Sequence, residues 1–152
     1  MTSIKHIQSQ IGTAADGIWG DKSKQALKSA IAGGKIITIT KNISLNELLA
    51  SNTAKRHNID NTPNQTILQN LIDASVNLYQ PVRDILGVPI IITSGYRSPA
   101  LNKAVGGSAT SAHMSGFAID FRSPRFGTPK LIVPHIVKVL KQKGIGFDQA
   151  II

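Results

Sequence analysis

Ser111-Ala112-His113-Met114-Ser115-Gly116-Phe117-Ala118-Ile119-Asp120 sets a histidine and an aspartate seven positions apart, with small residues between them. Imidazole and carboxylate are both ordinary zinc donors, and a catalytic zinc takes three protein ligands and keeps a fourth position for water. The segment therefore reads as two of three ligands to one divalent metal. His113 falls in a loop of Ser, Gly and Ala, where small neighbours let backbone and substrate come close. Residues 117–121 read as a strand with Phe117, Ile119 and Phe121 on one face and Ala118 and Asp120 on the other. An acid between two phenylalanines needs a partner, and a metal is a good one.

Upstream, Ile90-Ile91-Ile92-Thr93-Ser94-Gly95-Tyr96-Arg97-Ser98-Pro99 is a β-branched run that ends in a turn exposing an arginine. After Gly87, residues 88–93 are expected to form a buried strand, and residues 98–105 a short helix closed by Gly106-Gly107. The two segments together resemble the M15 peptidases, the zinc D-Ala-D-Ala carboxypeptidases and phage endolysins of hedgehog-type α+β fold. The family pattern SxHxxGxAxD, preceded by SGYR, is matched at Ser111, His113, Gly116, Ala118 and Asp120, and at Ser94, Gly95, Tyr96 and Arg97. The resemblance runs from about residue 44 to the C-terminus. It implies a small antiparallel sheet flanked by helices, here preceded by a short helical hairpin.

The resemblance also implies roles. Zn2+ would be held by His113 and Asp120, and Arg97 would be catalytic, binding or polarising the scissile carbonyl where the oxyanion develops. Ser111 matches a position that contacts substrate. Read from the residues alone, Arg97 could instead brace its loop by pairing with Asp120 or a backbone carbonyl, and Ser111 could be a cap. In relatives, the strand resembling Gly146-Phe147-Asp148-Gln149-Ala150-Ile151-Ile152 leads into a catalytic acid and then a Trp-x-His segment with the third ligand. Neither occurs within these 152 residues. The third ligand and general base are thus missing, so the expectation is a fragment, a catalytically incomplete scaffold, or a site completed in another way. His135, His57 and His6 are poor substitutes by position, and Asp148 matches a structural residue.

Composition narrows the alternatives. Lys+Arg 17 against Asp+Glu 8 gives 17 − 8 = +9 and a pI near 10.1, which favours polyanionic surroundings. Aromatics make up only 5% and the basic residues are dispersed, which disfavours a specific nucleic-acid module. The expected partners are peptidoglycan peptides and an anionic cell wall, with the chain a monomer. With no cysteine, disulfides, thiolate metal sites and a cysteine nucleophile are excluded. No apolar run approaches the ~20 residues that span a bilayer, and the start lacks the apolar core of a secretory signal. The chain is therefore expected to be made soluble in a host cytoplasm and to act on the wall after release, as phage lysins do.

The remaining sequence divides into residues 1–34 and 35–152. Ile4, Ile7 and Ile11 recur at helical spacing up to Gly12, and a second helix restarts with Asp21 as the expected N-cap. Between them, Asp16-Gly17-Ile18-Trp19-Gly20 resembles the DGxxG turn of the small peptidoglycan-binding repeat, in which a glutamine like Gln8 recurs. The alternative is a hairpin that packs Trp19 on the catalytic domain. After Gly33-Gly34, residues 35–40 alternate and favour a short strand. Ser44-Leu45-Asn46-Glu47 has capping-box spacing, a longer helix follows Asn64, and Pro81 should kink or end it. Thr128-Pro129 opens a last helix that Gly144 terminates, and residues 147–152 start one more strand. The expected activity is zinc-dependent cleavage of peptidoglycan stem peptides, with a non-catalytic wall-binding scaffold as the alternative.

Overall fold

The computed structural model, which describes residues 2–151, contains eight α-helices and two strands. Helix α1 (Ile4–Ile11) is capped by the Ser3 hydroxyl on the His6 amide and ends at Gly12, whose φ of 78° is the left-handed value that favours glycine. Helix α2 (Asp21–Ala32) begins one residue earlier than expected: Gly20 is its N-cap, and Asp21 lies inside the first turn, where a carboxylate faces the positive end of the helix dipole. Residues 35–40 are not a strand. They alternate as expected, burying Ile37 and Ile39, yet pair only through a single bridge between Thr38 and Ser44. Asn46 accounts for this, because its side chain accepts from the Ile37 amide and donates to the Lys35 carbonyl, taking up groups a ladder would need.

Helix α3 (Leu45–Leu49) opens on the expected reciprocal box of Ser44 and Glu47, and α4 (Asn52–Arg56) follows. From Asn64 the chain runs through α5 (Gln65–Ala74), a π turn (Ser75–Tyr79) and α6 (Gln80–Leu86) without a break. Pro81 therefore neither ends this helix nor opens a gap. It lacks the amide that would pair with the carbonyl at Asn77, and widening of the turn just before it absorbs the defect. The buried Ser75 hydroxyl, bonded to the Leu71 carbonyl one turn back, assists that widening.

Strands β1 (Ile91–Ser94) and β2 (Asp120–Arg122) form a two-stranded antiparallel sheet, with α7 (Pro99–Ala104) and a 3₁₀ turn (Ala112–Ser115) between them. Helix α8 (Pro129–Gln142) closes the order. The fold is α+β. Two expected strands shrink or vanish: 117–119 precede β2 and leave Phe117 53% exposed, and 147–151 form no strand. Phe117 sits outside the sheet because its amide bonds to the Ala112 carbonyl, closing the His113 turn instead of a ladder.

Two apolar cores result. One joins the N-terminal hairpin to the centre of the chain through Ile7, Trp19, Leu27, Leu48, Leu71 and Tyr96. Trp19 is buried there, its indole donating to the Pro63 carbonyl at 3.0 Å and its amide to Gln65. The other seats α8 on α6 through Ile132, Ile136 and Leu140 against Val82 and Leu86. Each such aliphatic side chain, withdrawn from water, is worth about 1.5 to 3 kcal/mol before entropy is counted.

Candidate active site

The loop after β1 carries the arginine, and its path is set by a backbone approach that only glycine allows. The Tyr96 amide donates to the Leu48 carbonyl at 2.8 Å, which presses Gly95 onto the end of α3. A Cβ at Gly95 would collide with the Leu48 carbonyl oxygen and lie 2.8 Å from its Cα. Asn61 ties the same loop from the other side, donating to the Leu49 and Tyr96 carbonyls and accepting from the Ser98 amide. The loop is thus held at three consecutive residues, 96, 97 and 98, since the Arg97 amide also donates to the His113 carbonyl at 3.1 Å.

His113 is fixed by two bonds. Its amide meets the Ser111 hydroxyl at 3.3 Å, which makes Ser111 the cap of the 3₁₀ turn. Its Nδ1 lies 2.8 Å from the Gly95 carbonyl oxygen. A carbonyl cannot donate, so Nδ1 carries a proton, and in the neutral imidazole the lone pair is then the one on Nε2, the nitrogen that faces Asp120. Orientation of a ligating imidazole by a backbone carbonyl is the usual outer-shell arrangement of metal-binding histidines. Gly116 lets the turn close: it has φ 81°, and its carbonyl accepts from the buried Tyr79 hydroxyl at 3.2 Å. Burial pushes the Tyr79 phenol well above its ordinary value, so it remains a donor.

Asp120 comes from the sheet. It pairs with Ser94 across an irregularity between Ile92 and Ser94, and the intervening Thr93 hydroxyl donates to its backbone carbonyl. Such a bulge re-aims the neighbouring side chains. The Asp120 carboxylate consequently faces both His113 and Arg97: Oδ2 lies 3.6 Å from His113 Nε2 and 3.8 Å from Arg97 Nη2. Neither distance is a hydrogen bond. The carboxylate side chain is 60% exposed, whereas those of His113 and Arg97 are 12% and 16% exposed. Two donors on one tetrahedral zinc stand about 3.3 Å apart for bond lengths near 2.0 to 2.2 Å. His113 Nε2 and Asp120 Oδ2 therefore fit zinc as two of its ligands with a movement of a few tenths of an ångström.

Among the described residues no third histidine, aspartate or glutamate joins them. His135 is engaged elsewhere, its ring 5.1 Å from that of Phe126. An apolar cavity of about 330 Å³ opens beside Asp120, between the sheet and α8.

The structure thus brings all four expected residues, Arg97, Ser111, His113 and Asp120, into one neighbourhood. It adds two whose contacts with Arg97 the sequence did not reveal. Ser94 accepts from Arg97 Nε at 3.3 Å, and Asn102 accepts from Arg97 Nη1 at 3.1 Å. Ser94 was visible as part of the SGYR motif, but nothing in spacing marked Asn102, which falls within the short helix expected at 98–105.

No curated protein and no solved structure matches the chain. The peptidase M15 family model matches residues 41–150. That match covers more than two thirds of the 152 residues and contains Arg97, Ser111, His113 and Asp120 alike, so the chain belongs to the peptidase M15 family and is a peptidase.

Proposed function

We propose that the chain is a zinc peptidase of peptidoglycan stem peptides, acting as an endolysin does on the cell wall. The observation that carries this reading is the approach of His113 Nε2, on a ring oriented by the Nδ1 bond to the Gly95 carbonyl, to Asp120 Oδ2 at 3.6 Å. Family membership supports the peptidase class, and M15 peptidases are generally zinc-dependent.

His113 and Asp120 would hold the zinc, which when bound supplies Lewis-acid polarisation of the scissile group. Arg97 is placed to do the rest of the electrostatic work. Two of its guanidinium nitrogens are committed to Ser94 and Asn102, and Nη2 points into the space beside Asp120. A fixed cation there offers a donor where an amide carbonyl gathers negative charge on becoming tetrahedral. Because Arg97 is largely shielded from water, that donor needs little reorganisation as charge develops. Ser111 serves the site by holding the turn of His113, and its remaining hydroxyl capacity can meet substrate. The wall itself is the second partner, attracted by the excess of positive charge.

Zinc content and peptide release from purified peptidoglycan, each with and without a chelator, test the reading. Chelator-sensitive release is the expected result. Absence of both zinc and release would leave the alternative of a wall-binding scaffold without hydrolysis.

A further inference from the structure

Arg97 does not orient itself. A guanidinium on a three-carbon stem turns freely unless its fork is gripped, and a donor one ångström out of place forfeits most of its effect. The grip comes from Asn102, on the first helix after the arginine. The residue is 3% exposed. The amide orientation follows from the partners alone: Arg97 can only donate and the Ser108 carbonyl can only accept, so Oδ1 faces Nη1 at 3.1 Å and Nδ2 faces Ser108 at 2.9 Å.

The backbone fixes Asn102 in turn. Ser98 caps α7 through the Leu101 amide, and the Asn102 amide donates to the Ser98 carbonyl at 2.8 Å. The Gly107 amide closes the far side on the Asn102 carbonyl at 2.9 Å. A Cβ at Gly107 would collide with Asn102 Oδ1 and come within 2.7 Å of Arg97 Nη1. That glycine therefore makes room for the pair itself. The acceptor is also neutral, so Arg97 is held without having its charge cancelled on that side.

We propose that Asn102 is a positioning residue: its buried amide locks the Arg97 guanidinium with Nη2 facing His113 and Asp120, and it ties that lock to the loop leading into the His113 turn. The catalytic part of this rests on the reading of Arg97 as an oxyanion donor. The same amide thereby adds a third tie between the arginine and histidine loops, which are also joined by the Arg97 amide on the His113 carbonyl and by His113 Nδ1 on the Gly95 carbonyl.

The test uses the full chain with zinc, labelled with 15N, and soluble muropeptides as substrate. In the parent protein Arg97 should show a sharp Nε–Hε signal and Nη hydrogens that exchange slowly by rotation. Asn102→Ala should average the Nη signals and lower kcat about 10-fold or more, with KM within about twofold. Asn102→Asp should restore the ordered Arg97 signals, with kcat still below the parent because the new charge opposes that of Arg97. Gly107→Ala, which deletes neither partner, should reproduce the Asn102→Ala spectrum and serves if that variant does not fold. Arg97 signals as ordered in Asn102→Ala or Gly107→Ala as in the parent would overturn the proposal, as would loosened signals with unchanged kcat. If the parent releases no peptide, the zinc-peptidase reading fails, and the Arg97 signals alone decide for or against the lock.

Discussion

At Gly95 the added methyl of alanine would meet the Leu48 carbonyl and Cα, both parts of a buried backbone that cannot swing aside. Gly95→Ala is therefore expected to cost about 2 to 4 kcal/mol in denaturant unfolding, because either α3 or the arginine loop must move. It should also abolish peptide release, since the same carbonyl of Gly95 orients His113. A stability within about 0.5 kcal/mol of the parent would contradict that account. Asp120 predicts the opposite balance: its carboxylate is exposed and makes no hydrogen bond, so Asp120→Asn should change stability by less than about 0.5 kcal/mol. Zinc measured by atomic absorption should nevertheless fall to background in Asp120→Asn and in His113→Ala, and full occupancy in either would remove these residues from the metal site. His113 and Asp120 were legible in the sequence from donor type and spacing, whereas Arg97 and Ser111 were marked by the resemblance to the M15 pattern. Asn102 and Asn61 were not, since an asparagine becomes meaningful only when folding brings partners to its amide, the Leu49 and Tyr96 carbonyls for Asn61 and the Arg97 guanidinium and Ser108 carbonyl for Asn102.

Among the elements, the continuous helical run 65–86 shows where local rules stop sufficing. Proline at an interior position is expected to break a helix, and here a widened turn carries the chain through. The consequence for the site is direct, because the widened turn ends on Tyr79, whose hydroxyl reaches the Gly116 carbonyl. A single-residue period cannot foresee this, as the compensation depends on Ser75 bonding backward and on a buried phenol finding a carbonyl 37 residues away. Tyr79→Phe keeps the ring packing and leaves that buried carbonyl unpaired. It should lower stability by about 1 to 2 kcal/mol in thermal or denaturant unfolding. No loss at all would mean that the phenol does not brace the His113 turn. The strand expected at 35–40 failed for a similar reason: alternation correctly chose which isoleucines are buried, but Asn46 had already claimed the backbone groups.

At the scale of the molecule, the N-terminal hairpin shares its core with the family-matched residues; Asp16 braces its turn from within, and Asp60 ties it to the rest of the chain through Lys28. Asp16 is drawn below the ordinary carboxylate range, first by the Ile18 amide and then by Gln8, a fully buried glutamine that also bonds Gly17, Ile18 and Ser23. Burial raises Asp60, but its bonds from Lys28 and Thr62 outweigh this and leave it lowered. A carboxyl lowered in the folded state stabilises above its unfolded value and loses that contribution as pH falls through the folded one. Thermal midpoints should accordingly drop below about pH 4. Asp16→Asn should flatten that drop, and an unchanged acid limb would show that the turn does not depend on the ionised group.

Part of the positive charge, dispersed as it looks in sequence, lines up on one helix face once α8 forms. From residue 121 to 147 there are six basic residues, Arg122, Arg125, Lys130, Lys138, Lys141 and Lys143, and no acidic one. The helix buries Ile132, Ile136 and Leu140, and the 3.6-residue period then sets Lys130, Lys138 and Lys141 together on the opposite, exposed face. If the chain binds the wall as proposed, a strip of three cations without counter-charges in its own segment would meet the phosphodiesters of an anionic wall polymer rather than the neutral glycan. Replacing the three lysines by glutamine should therefore weaken sedimentation with walls that carry such polymers, while release from soluble muropeptides stays at the parent rate. The slope of log affinity against log salt should also fall, by roughly one for each lysine removed. Equal binding and an equal slope for the parent and the triple variant would assign wall attraction to another face.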